Sequence, residues 1–290
     1  KFIKGDIRNK EELNNIFSDS IKKNLKIEAV IHFAGLKSVS KSIKEPLKYW
    51  ENNVIGSLTL FKTMIEFGCF SIVYSSSASV YGFNNKGLLS EQSELKPCNP
   101  YGETKLAVEK ILIDMNKSAK KNWRIINLRY FNPIGAHPSG LIGESPLEFT
   151  DNLFPHICEV AAKKINTLNI FGSDWPTSDG TCIRDYIHVM DLAEAHLSAL
   201  NFLFENEPQM LNLNIGTGIG TSVLELVGIF VKTNNYMVPI KFVDRRKGDL
   251  PFIVAENKLA KNTLQWEPTR DLSQMCRDGW QWHKNNYSFI

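Results

Sequence analysis

Paired cysteines, metal-ligand spacings, long apolar runs and blocks of like charge are all missing from this sequence. Its five cysteines (Cys69, Cys98, Cys158, Cys182 and Cys276) are scattered and never form a Cys-x-x-Cys pair. That excludes a disulfide framework or a cysteine zinc site and suits a reducing cytoplasm. The six histidines show no His-Glu-x-x-His or comparable spacing, so no metal is expected. No apolar run is long enough to cross a bilayer. The formal net charge is only +3, and without a long Lys/Arg block there is no electrostatic case for a nucleic-acid or membrane partner.

What is present is an ordinary globular composition: 290 residues, 43% of them apolar, enough to bury one large or two interdependent cores. Leu13, Ile16, Phe17 and Ile21 recur at helical spacing, and Ala29-Val30-Ile31-His32-Phe33-Ala34-Gly35 reads as a strand. After Asn52-Asn53 come a helix carrying Val54, Leu58, Phe61 and Ile65, the buried strand Ile72-Val73-Tyr74, a helix carrying Val108, Ile111, Leu112 and Met115, and a strand over 125–130. This alternation predicts an α/β fold built on a doubly wound parallel sheet. Such a sheet, where it binds dinucleotides, opens with a strand, a glycine-rich turn and a helix whose N-terminus holds a pyrophosphate. Lys1-Phe2-Ile3-Lys4-Gly5-Asp6 reads instead as a strand already in progress, and the expectation is a Rossmann-type sheet without its first strand, turn and helix. From Pro133 the pattern becomes irregular, with Pro, Gly, Ser and Asp crowding 138–146 and 172–180. The expected division is therefore 1–133 for the sheet domain and 134–290 for a smaller substrate domain, with segments of the latter returning to the sheet.

The chemistry concentrates in Ser75-Ser76-Ser77-Ala78-Ser79-Val80-Tyr81-Gly82 and Asn99-Pro100-Tyr101-Gly102-Glu103-Thr104-Lys105. The serines fall where a buried strand leaves its sheet, the edge at which open α/β sheets place ligands. Asn99 can cap a helix and Pro100 can occupy its first turn, so Tyr101 and Lys105 project from one face. A tyrosine with a pKa of about 10 is a poor base at neutral pH, but a neighbouring ammonium, or a cationic ring bound beside it, favours the phenolate. Ser77 can orient or relay the proton. Asn212-Leu213-Asn214-Ile215-Gly216-Thr217-Gly218-Ile219-Gly220 offers a second glycine-rich turn, ahead of a helix at 222–231. Its glycines are spaced Gly-x-Gly-x-Gly with no acidic residue at the ribose-binding distance, so it reads as a tight turn without a cofactor.

The two serine and tyrosine stretches, with Arg129-Tyr130-Phe131-Asn132-Pro133-Ile134-Gly135-Ala136-His137-Pro138, resemble the extended short-chain dehydrogenase/reductases, and within that family its nucleotide-sugar 4-epimerases. The likeness runs from Gly5-Asp6 to Gly279-Trp280-Gln281-Trp282. It implies interconversion of UDP-glucose and UDP-galactose through a 4-keto sugar and tightly held NAD, with Tyr101, Lys105 and Ser77 catalytic. By the same resemblance Asp6, Ile7, Phe33, Ala34, Gly35, Leu36, Lys37, Asn52 and Phe131 line the cofactor groove together with the catalytic residues. Asn132, Asn152, Leu153, Asn169, Ile170, Phe171, Arg184, Arg246 and Asp249 would hold the UDP-sugar beside Ser77 and Tyr101. Arginine forks suit a diphosphate, and Phe171 can cover a uracil. On the residues alone, Asp6 equally suits a helix cap, Lys37 a surface, Phe33 a core, and Arg184-Asp185 or Arg245-Arg246 structural ion pairs. Ile253 aligns with a position that is tyrosine in glucose-restricted epimerases and smaller in those accepting N-acetylated sugars. Weak acceptance of UDP-GlcNAc is expected, beside a plain packing role. Family members carry a Gly-x-x-Gly-x-x-Gly turn and an acidic ribose-binding residue ahead of the position of Gly5, so the chain is expected to be a piece of a longer member. Pairing as a homodimer through the helices from Asn53 and Pro100 is implied. Two rival readings stand beside the epimerase: a non-catalytic UDP-sugar-binding remnant, and a dehydratase or decarboxylase of the same family. Dehydratases and decarboxylases carry acidic residues at the strand end, where this chain has Ala78 and Ser79.

Overall fold

The computed structural model describes residues 1–82, 87–118, 122–145, 152–246 and 248–286. In chain order come helix α1 (Lys10–Lys22), strand β1 (Ala29–His32), helices α2 (Val39–Lys44) and α3 (Pro46–Tyr49), and a π turn at Trp50–Ile55. Helix α4 (Gly56–Glu66), strand β2 (Ser71–Ser77), a 3-10 turn at Ala78–Val80, helix α5 (Pro100–Lys117) and strand β3 (Arg124–Tyr130) follow. The rest comprises β4 (Asn132–Ile134), α6 (Leu153–Ala161), β5 (Leu168–Phe171), β6 (Ile183–His188), α7 (Val189–Glu205) and β7 (Met210–Ile215). Last come β8 (Gly220–Ser222), α8 (Val223–Asn234), β9 (Ile240–Val243), β10 (Phe252–Ile253), α9 (Lys258–Leu264) and α10 (Leu272–Asn286). The chain divides into two compact units: Lys1–Gly82, Glu94–Arg129 and His196–Leu213 in the first, Phe83–Ser93, Tyr130–Ala195 and Asn214–Ile290 in the second.

The first unit holds a four-stranded sheet in the order β1-β2-β3-β7, with β1 and β2 parallel and Ala29 opposite Ser71. Strand β2 is buried from its first residue to Ser76, so it lacks the alternation of a half-exposed strand. Leu13 and Phe17 of α1, Leu60, Phe61 and Met64 of α4, and Val108 and Leu112 of α5 pack with Ile72, Tyr74 and Ile125 in one core. Each such side chain contributes about 1.5–3 kcal/mol by leaving water. Asn9 caps α1 by accepting the N–H groups of Glu11 and Glu12.

Two expectations change here. The first six residues pair with no strand among the described residues, and at their end Asp6 turns toward α1, its N–H donating to Glu12 and its carbonyl accepting from the Asn9 N–H. Ile21, expected on the apolar face of α1, is 47% exposed, one residue from the helix end.

The second unit places β10, β6 and β4 side by side and parallel, with β8 antiparallel to β6, and pairs β5 with β9 separately. Helices α6, α8 and α10 close its core, in which Trp280 meets Phe230 edge-on at 5.7 Å. Ser222 and Glu225 form a reciprocal capping box at the start of α8, as Ser-x-x-Glu ahead of an apolar run requires. Pro146, at the end of the proline-rich loop, lies outside the described residues.

Candidate active site

Asn99 accepts the Gly102 N–H at 2.9 Å and Pro100 takes the first turn of α5, as the sequence leads one to expect. Gly102 is indispensable at this start. A Cβ there would lie 2.5 Å from the Ser79 carbonyl oxygen, so only glycine lets the helix rest against the turn that follows β2. Tyr101, Lys105 and Glu109 then recur on one face, and each meets a different serine of β2. Tyr101 is hydrogen-bonded to the Ser77 side chain. Lys105 donates its Nζ to the Ser75 carbonyl at 2.6 Å. Ser76 donates its hydroxyl to Glu109 Oε1.

Electrostatics correct one expectation. Lys105 does not by itself turn Tyr101 into a base: burial pushes the phenol pKa up, the Ser77 hydrogen bond opposes that, and nearby Tyr49 adds to it. The Lys105 ammonium sits 5.8 Å from the Tyr101 ring centre and 5.0 Å from that of Tyr74, engaged with the strand carbonyl. Its own pKa is pushed down to about 8 by burial, against the pull of the Glu109 anion. Burial thus works against ionising Tyr101, and a further positive charge beside it would favour the phenolate.

A cavity of about 300 Å³ on the first unit is lined by Gly5, Asp6, Ile7, Ala34, Gly35, Leu36 and Asn52, which gathers six of the expected groove residues. Asp6 pairs with Arg8 at 2.7 Å, and that hydrogen bond holds its carboxyl below the usual range. The ring of Phe33, 58% exposed, lies 4.7 Å from His196, while Lys37 is exposed. Asn52 turns its amide to its neighbour, donating to Asn53 Oδ1 at 3.1 Å. Asn53 is the buried one. It accepts the Leu36 N–H at 2.7 Å and donates to the Leu36 carbonyl and Thr104 Oγ1, both at 3.1 Å, tying the segment after β1 to α5. The π turn at Trp50–Ile55 admits one more residue than an α turn, and both asparagines lie within it.

In the second unit, Arg184 of β6 donates to the carbonyls of Ile183 at 2.9 Å and Leu250 at 2.7 Å, and pairs in register with Ile253 of β10. Phe171 ends β5, opposite Val243, and the Arg246 guanidinium covers its ring at 3.7 Å. Arg245 lies over Trp175 at 4.1 Å and is anchored to Asp174 at 2.7 Å. The Asp249 N–H donates to the Arg246 carbonyl at 3.3 Å. Asn169 is exposed, whereas Ile170 is buried, so Ile170 can offer a ligand only its backbone. Asn132 stands opposite Tyr186 in the β4–β6 ladder. Asn152 precedes Leu153 at the start of α6 and reaches Glu144 at 3.4 Å. Phe131 is buried and donates its N–H to the Ile215 carbonyl at 3.2 Å. In the second glycine-rich turn the Thr217 and Gly218 N–H groups donate at 2.8 and 2.9 Å to the buried carboxylate of Asp185, which also takes the Thr217 hydroxyl and the Ala255 N–H. That nest already holds an anion, and the anion is a side chain.

A sequence model of the family described as GDP-mannose 4,6 dehydratase matches residues 1–279. The chain is 46% identical to a UDP-glucose 4-epimerase of Bacillus subtilis, over 98% of its own length and 82% of the relative's. It is likewise 46% identical to a bifunctional UDP-glucose 4-epimerase and UDP-xylose 4-epimerase of Arabidopsis thaliana, covering 100% of this chain and 81% of that one. A crystal structure of a UDP-glucose 4-epimerase from Stenotrophomonas maltophila, with bound NAD and formylated UDP-arabinopyranose, superposes with a TM-score of 0.93 at 43% identity, covering 98% of this chain and 82% of that one. The chain belongs to the UDP-glucose 4-epimerase family. In this 4-epimerase fold the residues that sequence reading passed over are Asn53, Ser76, Tyr81, Glu109 and Arg129. Glu109 had one signal, its place a further turn along the face of Tyr101 and Lys105. Arg129 had only its place at the head of the family-like stretch, since its carboxylate partner is remote in sequence.

Proposed function

We propose that this protein interconverts UDP-glucose and UDP-galactose, with NAD as its resident cofactor. The observation that carries this reading is the Ser77–Tyr101 hydrogen bond with Lys105 buried one turn further along α5. The cavity bounded by Asp6, Ile7, Ala34, Gly35, Leu36 and Asn52 suits a dinucleotide, because backbone, a small residue and polar side chains edge it. These residues, with Phe33, Lys37 and Phe131, would hold NAD, which when bound accepts a hydride from the sugar carbon and returns it. Tyr101 Oη takes the proton of the 4-hydroxyl and gives it back, Ser77 fixes the reacting oxygen, and the Lys105 charge steadies the phenolate. An oxidised nicotinamide, bound beside Tyr101, would supply a positive charge that favours its phenolate.

Arg184 and Arg246 hold the diphosphate, Phe171 covers the uracil, and Asn132, Asn152, Leu153, Asn169, Ile170 and Asp249 complete the pocket. With the UDP anchored, the keto ring can present either face, and the configuration at C4 inverts. Ala78 and Ser79, in the turn after β2, carry no acid for eliminating water, which disfavours the dehydratase alternative. UDP-pentoses are a second substrate class, supported by the bifunctional Arabidopsis relative and by a sugar C6 that takes no part in the proton transfer. Ile253, half-buried on β10, is intermediate in size between tyrosine and the smaller residues at that position, which supports weak turnover of UDP-GlcNAc. Among the described residues no helix is long and apolar enough to cross a membrane. A reducing cytoplasm and a homodimer built on α4 and α5 complete the proposal. The test is incubation of the protein with NAD and UDP-galactose. UDP-glucose is the expected product, and a 4-keto-6-deoxy sugar in its place would refute the reading.

A further inference from the structure

Glu109 is wholly buried and grips Arg129 with both oxygens, at 3.0 Å to Nε and 2.7 Å to Nη2. Arg129, 1% exposed, donates its Nη1 to the Tyr81 hydroxyl at 2.9 Å, and Ser76 gives its hydroxyl to Glu109. The pair thus joins α5, β3, the last residues of β2 and the turn beyond it. These are the elements that carry Ser77 and Tyr101. Stability alone is a poor reason for this arrangement, since apolar residues of similar volume usually replace a buried ion pair without loss.

We propose that Glu109 is a positioning residue for the proton transfer: clamped by Arg129, it seats the end of β2 through Ser76 so that Ser77 meets Tyr101, and it is the electrostatic partner of Lys105. This inference rests on the epimerase reading only for the identity of the reaction. Among the described residues around Lys105, Glu109 is the acidic one: Tyr101 lies on the same helix, Tyr74 on β2 and the uncharged His32 on β1, while the Arg129 cation of β3 is bound to Glu109 and Tyr49 of α3 acts on Tyr101. The anion raises the proton affinity of Lys105 against the burial that lowers its pKa to about 8. Removing it leaves Lys105 neutral at lower pH, so the alkaline limb of the rate profile moves down.

The experiment uses the NAD-loaded protein as wild type, as Glu109→Gln, and as the double variant Glu109→Leu/Arg129→Met. Lys105 is titrated by its ¹³Cε resonance, assigned by its loss in Lys105→Met, and turnover of UDP-galactose is followed against pH. In Glu109→Gln the expected results are a Lys105 midpoint lowered by about one pH unit, which is tenfold in proton affinity. The alkaline limb of kcat shifts by the same amount, kcat falls about fivefold at pH 8, and KM stays within twofold. The double variant should unfold no more easily than wild type and, with the Arg129 charge gone too, regain part of the midpoint, yet keep the slow kcat because Ser76 has lost its acceptor. A double variant with wild-type kcat and an unshifted Lys105 midpoint would show that the pair is merely structural and would overturn the proposal. Should the wild type leave UDP-galactose unchanged, the epimerase reading falls, and the Lys105 titration still decides the role of Glu109.

Discussion

Arg129 in the first unit and Arg246 in the second each lie over an aromatic ring, Tyr81 at 5.1 Å and Phe171 at 3.7 Å. Arg129 is almost wholly buried and locked bidentately to Glu109, while Arg246 is half-buried, in the loop after β9, with ring stacking as its described hold on Phe171. The first cannot move without stranding a carboxylate in the core, whereas the second lies over a ring that carries no charge. One unit holds its arginine fixed against a buried carboxylate. The other holds Arg246 half-buried over an uncharged ring.

The widest gap between the units should open with Tyr101→Phe, which removes the proton carrier and leaves packing intact. Turnover should fall by about 10²–10⁴-fold with an unchanged melting temperature, and undiminished inversion at C4 would break the account. Next, urea unfolding should separate the arginines. Arg129→Met alone strands the Glu109 charge and should cost about 3–5 kcal/mol, against no more than about 0.5 kcal/mol for Arg246→Met. Ligand binding should then reverse that order, because Arg246→Ala removes a charged hydrogen-bond donor of about 1.5–3 kcal/mol for UDP. Uridine, with no phosphate to draw the guanidinium off Phe171, should bind Arg246→Ala as tightly as wild type or tighter by calorimetry. The smallest effect is on pH stability in the first unit. Burial, with the Lys105 charge added, holds the His32 pKa down to about 3, so the folded state stays unprotonated where the unfolded chain takes up a proton. Stability should therefore be intact above about pH 6.5 and decline below it, by at most about 1.4 kcal/mol per pH unit from this residue. Thermal melts of His32→Asn should show a shallower decline between pH 6.5 and 5.

Much of this arrangement is readable in advance for reasons that are local. Tyr101 and Lys105 share a face because an α-helix repeats every 3.6 residues, and Asn99-Pro100 announces where that helix starts. Ser77 follows from the buried run Ile72-Val73-Tyr74, since a strand must surface where its apolar stretch stops. Glu109 and Arg129 are hidden for the converse reason. Charged residues are rarely buried, so each taken alone reads as surface, and the contact that buries them joins a helix to a strand beyond its end. Asn53 escapes because helical periodicity assumes an unbroken α ladder, which the chain abandons at Trp50–Ile55. The lowered phenol pKa expected from Lys105 fails on a quantity sequence does not carry, the depth at which the pair is buried.

That one surplus residue between Trp50 and Ile55 has a genetic corollary. Deleting the codon of any residue there other than Asn53 would restore regular helical winding and swing the preceding segment round by about 100° relative to α4. The Leu36–Asn53–Thr104 tether would part, although every amino acid that forms it would still be encoded.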